Sequence, residues 1–256
     1  MHAVFLVCAS CLLGNPEPSA VPSYLYQPAH HVDDLHRCPA VAYVPQPGDI
    51  MLATDPDRFW TITHNLAWAG QPHNSGIVVA RPDGSLAILE AGPNDTLFCR
   101  VLDLLPHLKE YEDKGIVWIR KRREPLTPQQ CCRLTDFAMR QECKKFALVR
   151  LGGQLTPLRH RGPLRTWVVG KPRGDRDGYY CAELVVEACV AAGLIDPAVA
   201  RPSATYPGDM FFEKSLNPFL RRNFDLAPCW YPPARWTACP CDSVWTAEQK
   251  ATKETK

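Results

Sequence analysis

The chain has 256 residues, 46% of them hydrophobic and 22% charged, with a formal net charge of +2. That balance fits a soluble globular chain of one large or two small domains with a real core, and excludes a fibrous or disordered one. The near-zero net charge gives no electrostatic case for nucleic acid or for an anionic membrane surface. Twelve cysteines over this length are too sparse for a small disulfide scaffold. Several of them, Cys131, Cys132, Cys143 and Cys189, sit in helical or core-like contexts and read as small buried hydrophobes.

In chain order, the apolar run AVFLVCASCLLG comes first. It is of signal-peptide length but lacks a preceding Lys or Arg, and it is short for a membrane span. Export and cytoplasmic retention stay equally open, and no integral membrane span is expected. Residues 15–46 are Pro-rich, so the segment 1–46 reads as an apolar start and an extended lead-in. His30, His31, Asp33, Asp34, His36 and Cys38 within it fit no familiar metal spacing, and a solvated loop is expected there.

From residue 47 the pattern sharpens into a domain expected to run to about 225. PGDIMLAT is a turn and a short strand. SGIVVA and LAILEA flank Asp83-Gly84 and read as a hairpin. A two-residue turn there would pair Arg81 with Leu86, Val79 with Ile88 and Ile77 with Glu90. Glu90 would then share a face with Ile77, Ser75 and His73, with Asn74 on the other face. KGIVWIRKR predicts a further strand with Ile116, Trp118 and Arg120 on one side. Thr127-Pro128-Gln129-Gln130 is a helix start with a capping box, and the spacing of Leu134, Phe137, Ala138 and Gln141 carries that helix to about Leu148. Residues 150–178 are basic and Gly/Pro-rich and read as a loop.

RDGYYCAELVVEACVAAGLI then predicts a helix starting at Cys181 and ended by Gly193, with Leu184, Val185, Ala188, Ala191 and Ala192 on its buried side. The segment 226–256 reads as a Pro/Trp-rich tail with a disordered end. Cys239-Pro-Cys241 within it is read as neither a disulfide nor a metal site.

Cys181 carries the chemical expectation. A thiol attacks as a thiolate, and the free N–H groups and partial positive charge of a helix N-terminus lower its pKa. That placement predicts Cys181 as the most reactive thiol of the chain. The same first turn offers an N–H to an oxyanion. A nucleophilic thiol needs a base and the base an orienting group. His73, before the first hairpin strand, and Glu90, closing the second, are the candidates, against a loop histidine and a surface glutamate.

The order of GDI, a histidine near GIVV, LEA and YYCAELV resembles the circularly permuted papain-like cysteine hydrolases of the NlpC and lecithin–retinol acyltransferase group, in particular the amidase branch typified by YiiX and YaeF. The resemblance covers residues 47 to about 215. It implies an α+β permuted papain-like fold, a small antiparallel sheet packed against helices. It implies Cys181 as nucleophile, Glu90 as the acidic third member, and a segment Tyr206-Pro207-Gly208-Asp209 after the nucleophile helix. An ungapped overlay places Asn74 where the family has its histidine; His73 lies one residue earlier, and the hairpin parity favours it as the base. The implied activity is cleavage of an amide or ester through a thioester, with no metal or organic cofactor. Cell-wall peptides, lipids and small acyl conjugates are all open as substrates. A thiol acyltransferase and a catalytically silent binding protein are the alternatives.

Overall fold

The computed structural model describes residues 22–26, 40–54, 70–92, 96–154, 156, 161 and 163–238. The N-terminal apolar run, the His30–Cys38 cluster and Cys239-Pro-Cys241 lie outside the described residues. Ten strands, seven α-helices and one 3-10 turn follow in order within them. They are β1 (Tyr24–Tyr26), β2 (Val41–Ala42), β3 (Ile50–Ala53), β4 (Asn74–Ala80), β5 (Leu86–Ala91), β6 (Cys99–Asp103), α1 (Leu104–Lys114), β7 (Val117–Arg120) and α2 (Pro128–Gln141). Next come β8 (Lys145–Phe146), α3 (Leu148–Gly153), α4 (Pro163–Val169), β9 (Gly178–Tyr179) and α5 (Cys181–Ala191). The 3-10 turn Pro202–Ala204, α6 (Pro207–Phe212), α7 (Pro218–Asn223) and β10 (Ala234–Thr237) complete the set.

Eight strands form one antiparallel sheet in the order β2-β1-β10-β7-β3-β4-β5-β6; β8 and β9 pair in parallel apart from it. The fold is α+β, a mostly antiparallel sheet packed against helices. β1 and β10 come from the expected lead-in and the expected tail, and β10 sits inside the sheet between β1 and β7. The strands that these flanks contribute among the described residues are therefore paired into the same sheet as β3 to β7.

Alternation along the strands divides the interior. Ile50, Leu52, Ile77, Val79, Ala87, Leu89 and Trp118 face the core shared with α2, α5, α6 and α7. Met51, Ala53, Val78, Ile88, Val117 and Ile119 face the other core, which Leu104, Leu108 and Tyr111 of α1 cover. The predicted strand at 114–122 appears as β7, with Trp118 and Arg120 on one side. Arg120 is fully buried, donating to the Met210 and Tyr231 carbonyls and pairing with Glu213. α2 starts with the predicted capping box: Gln130 N–H donates to Thr127 Oγ1 at 3.3 Å and Thr127 N–H to Gln130 Oε1 at 3.0 Å. It ends at Gln141 rather than near 148, because Cys143 turns the chain with a positive φ of 65°. The stretch read as a loop carries α3 and α4.

α5 is the central element. Every residue from Cys181 to Cys189 is buried, so it is enclosed on all sides rather than amphipathic. This enclosure includes two glutamates, which must be paired to be tolerated. Glu183 meets Arg150 at 2.6 Å and Arg176 at 3.2 Å; Glu187 accepts from the N–H groups of Arg173 and Gly174 and from Arg176 Nε. The basic segment 150–178 thus supplies counter-charges to the helix. Gly193, at φ +74°, closes the helix with Leu194 N–H donating back to the Cys189 carbonyl, as the glycine position predicts.

Asp49, before β3, is fully buried and accepts from Tyr43 Oη, Gln46 N–H and Arg122 N–H. Burial outweighs these donors and pushes its pKa up to about 6. A raised folded pKa means that the stabilising contribution is complete below the ordinary carboxylate value and is lost as pH rises through about 6. Relative to Asp49→Asn, the wild type should therefore gain about 3 kcal/mol of unfolding free energy between about pH 7.5 and about pH 3.5. Urea unfolding of both proteins across that range measures it; parallel profiles would contradict the assignment.

Candidate active site

β4 leads the candidate residues into place, and its pairing with β5 decides which of them meet. Ala80 pairs with Leu86, Val78 with Ile88 and Gly76 with Glu90. The expected register, with Ile77 opposite Glu90, is one residue off. The reason lies in the turn. Arg81 N–H donates to the Ser85 carbonyl at 2.8 Å and Gly84 N–H to the Arg81 carbonyl at 2.9 Å, so Pro82-Asp83-Gly84 forms a three-residue connection. Gly84 takes φ +87° and Asp83 does not take a positive φ, which rules out the two-residue type I′ turn. Pro82 favours the first position of a type I turn instead.

One residue of slip exchanges the faces. Glu90 shares its face with Asn74, not with His73. It is fully buried on the α1 side. Asn74 Nδ2 donates to Glu90 Oε1 at 2.6 Å, Tyr111 Oη donates to the same oxygen at 2.5 Å, and His107 Nε2 lies 2.7 Å from Oε2. The imidazole that Glu90 contacts is His107, so the expected orientation of His73 by Glu90 is corrected. Asn74 also receives Ser75 N–H on its Oδ1 at 2.8 Å, which fixes the start of β4.

Cys181 stands at the first position of α5, on the opposite face. Its N-cap, Tyr180, is extended and supplies no side-chain cap. Ala182 N–H favours the thiolate at its sulfur, and the neighbouring Ser75 acts in the same direction, although the Ser75 N–H is already bonded to Asn74 Oδ1. The Sγ lies 3.8 Å from the backbone carbonyl of His73. The structure therefore brings Cys181 to the His73–Ser75 segment, with Ser75, Ile77 and Val79 on the α5 face of β4. His73 is buried, with its backbone N–H donating to the Ala53 carbonyl at 2.9 Å.

The electrostatics run against the helix-terminus expectation. Burial pushes the Cys181 pKa up to about 11; the donors named above oppose the rise and the charge of Glu90 adds to it. The mid-helix Cys189, pushed up to about 12, and the strand thiol Cys99, also about 12, rise for the same reason of burial.

Three participants were missed by sequence reasoning. His107 and Tyr111 lie on α1, whose buried positions Leu104, His107, Leu108 and Tyr111 follow i, i+3, i+4, i+7 spacing, a signal present in the chain. Ser75 had no signal beyond its place in the strand. Among the described residues, no three His, Cys, Asp or Glu side chains gather so as to hold a metal ion. No helix in them is long and apolar enough to cross a membrane.

No protein-family model matches the chain, and no curated protein matches it. Among solved structures, the crystal structure of the metalloprotein YiiX from Escherichia coli O157:H7 is similar, with a TM-score of 0.42 and 19% identity over 59% of this chain and 67% of that one. At that distance the likeness decides nothing about the site.

A buried, protonated thiol reacts slowly. With limiting iodoacetamide near neutral pH, the exposed Cys143 should be alkylated before Cys181, and the Cys181 rate should climb steeply only as pH approaches about 11. Mass mapping of the labelled peptides reads the order. Cys181 labelling first at neutral pH would contradict the enclosed thiol.

Proposed function

We propose that this chain is a cysteine-dependent hydrolase of the amidase type on a circularly permuted papain-like fold, with Cys181 as nucleophile and His73 as base. The observation that carries the proposal is the meeting of the α5 N-terminus with the start of β4, where the Cys181 sulfur lies 3.8 Å from the His73 carbonyl. The chain order also fits: a histidine precedes the central strand pair, and the cysteine helix follows later and packs on the sheet.

In the proposed reaction His73 accepts the Cys181 proton as the sulfur attacks an amide or ester carbonyl. The developing oxyanion is held by N–H groups of the first turn of α5. Collapse expels the amine or alcohol, which takes the proton back from His73, and leaves a thioester on Cys181. Water, deprotonated by His73, then releases the acid and restores the thiol. Because burial raises the thiol's pKa, removal of its proton by a base is indispensable to this scheme. Glu90, bonded to Asn74, Tyr111 and His107 on the other face of the sheet, does not orient His73 in this scheme.

A silent binding protein is the second reading. The raised thiol pKa and the asparagine at position 74, where the resembling family has its histidine, both favour it. A thiol acyltransferase differs from the hydrolase only in the acceptor that resolves the thioester.

The test is turnover of a panel of amide and ester substrates, with and without an added amine or alcohol acceptor. Wild type should turn over without acceptor, Cys181→Ala should be inactive, and His73→Ala should lose about 10²–10⁴-fold. Turnover only with acceptor would select the transferase. A wild type that neither turns over nor forms a thioester would select the silent protein.

A further inference from the structure

The overall charge of +2 is unevenly spread. α4 packs beside α7 on the helical side of the molecule, joined where Asn217 Nδ2 donates to Thr166 Oγ1 at 2.8 Å. Thr166 and Leu220 turn into that contact and are buried. The side chains turned outward are of two kinds. Trp167, Val168 and Leu216 are 56%, 59% and 74% exposed. On the same two helices and the segments that adjoin them, Arg165, Lys171, Arg173, Lys214, Arg221 and Arg222 are all exposed. Over residues 163–173 and 212–223 the one acidic residue is Glu213, and the buried Arg120 already pairs with it. Lys171 lies 5.5 Å from the centre of the Trp167 ring, so cation and indole share one patch.

We propose that the face formed by α4, α7 and the connection at 213–217 is a docking surface for an anionic lipid bilayer. Six exposed cations complement negatively charged headgroups. An indole flanked by exposed aliphatic side chains suits the boundary between headgroups and acyl chains, where Trp and Leu are driven in by burial and Lys and Arg stay in the headgroup layer. Nucleic acid fits less well: it would meet the cations and stack on Trp167, but Val168 and Leu216 would gain nothing from phosphates and bases. The contact is peripheral, since no described helix is long and apolar enough to cross a membrane. It is independent of the thiol chemistry proposed above, so Cys181→Ser should bind as wild type does.

The test is sedimentation of the full chain with vesicles, at about 0.1 M salt, of phosphatidylcholine alone and of phosphatidylcholine with about a third phosphatidylserine. Binding is expected to the anionic vesicles and to weaken with added salt. Arg165→Glu with Lys171→Glu should weaken it by at least about 25-fold, from roughly fivefold for each charge removed. Arg133→Glu with Arg140→Glu, equal in charge change but on exposed positions of α2, should leave most of it. On vesicle binding, the wild type should show a blue shift of tryptophan emission that Trp167→Phe lacks. No binding to anionic vesicles, equal loss in the α2 control, or binding of a single-stranded oligonucleotide in place of vesicles would each overturn the proposal.

Discussion

The three-residue turn Pro82-Asp83-Gly84 is the constraint on which the site depends. It fixes β5 against β4 with Glu90 opposite Gly76. Because strand side chains alternate, that single choice sends Glu90 to the α1 side and leaves Ser75 on the α5 side with Cys181. The sheet thus separates two polar clusters. On one face a carboxylate is held by His107, Tyr111 and Asn74; on the other a thiol faces the first residues of β4. Asn74 joins the two, bonding Glu90 with its amide nitrogen and the Ser75 N–H with its oxygen.

The thiol shows which of two opposing effects prevails. A helix N-terminus stabilises a nearby anion by about 0.3–1 kcal/mol, and up to ~2 kcal/mol in a partly buried setting. A rise from 9.0 to about 11 corresponds to roughly 3 kcal/mol against the thiolate. Burial therefore exceeds the helix terminus at Cys181, and Glu90, a negative charge across the sheet, works in the same direction. The two glutamates of α5 meet the same burial and tolerate it because Arg150 and Arg176 reach them. At the thiol burial is the largest influence, and it prevails over the neighbouring hydrogen-bond donors. In the proposed chemistry the proton has to be taken from Cys181 by a base as the substrate reacts.

Local signals in the sequence survive well in the structure. The Thr127–Gln130 capping box, the Gly193 stop and the β7 strand each depend on residues close in the chain, and each appears where expected. What failed depends on partners distant in sequence, or on a turn with two admissible geometries. Asp83-Gly84 suits a two-residue turn until Pro82 is weighed. The insertion of β10 between β1 and β7 pairs residues more than two hundred apart, Leu25 with Trp236 for example, and no local pattern announces it. The all-round burial of α5, which takes in Glu183 and Glu187, depends on arginines that arrive from 150–176. Net charge concealed the basic face of α4 and α7 because it averages over the molecule.

Glu90 is bonded to His107, Tyr111 and Asn74 behind the sheet, away from Cys181, so it does not orient the base and its charge only adds to the rise that burial imposes on the thiol. The pH midpoint of Cys181 alkylation in wild type and in Glu90→Gln tests this most directly, with the thermal midpoint of each confirming that both are folded. Removing a negative charge that opposes ionisation should lower the Cys181 midpoint. An upward shift would mean that Glu90 supports an imidazolium beside the thiolate, and would contradict the account.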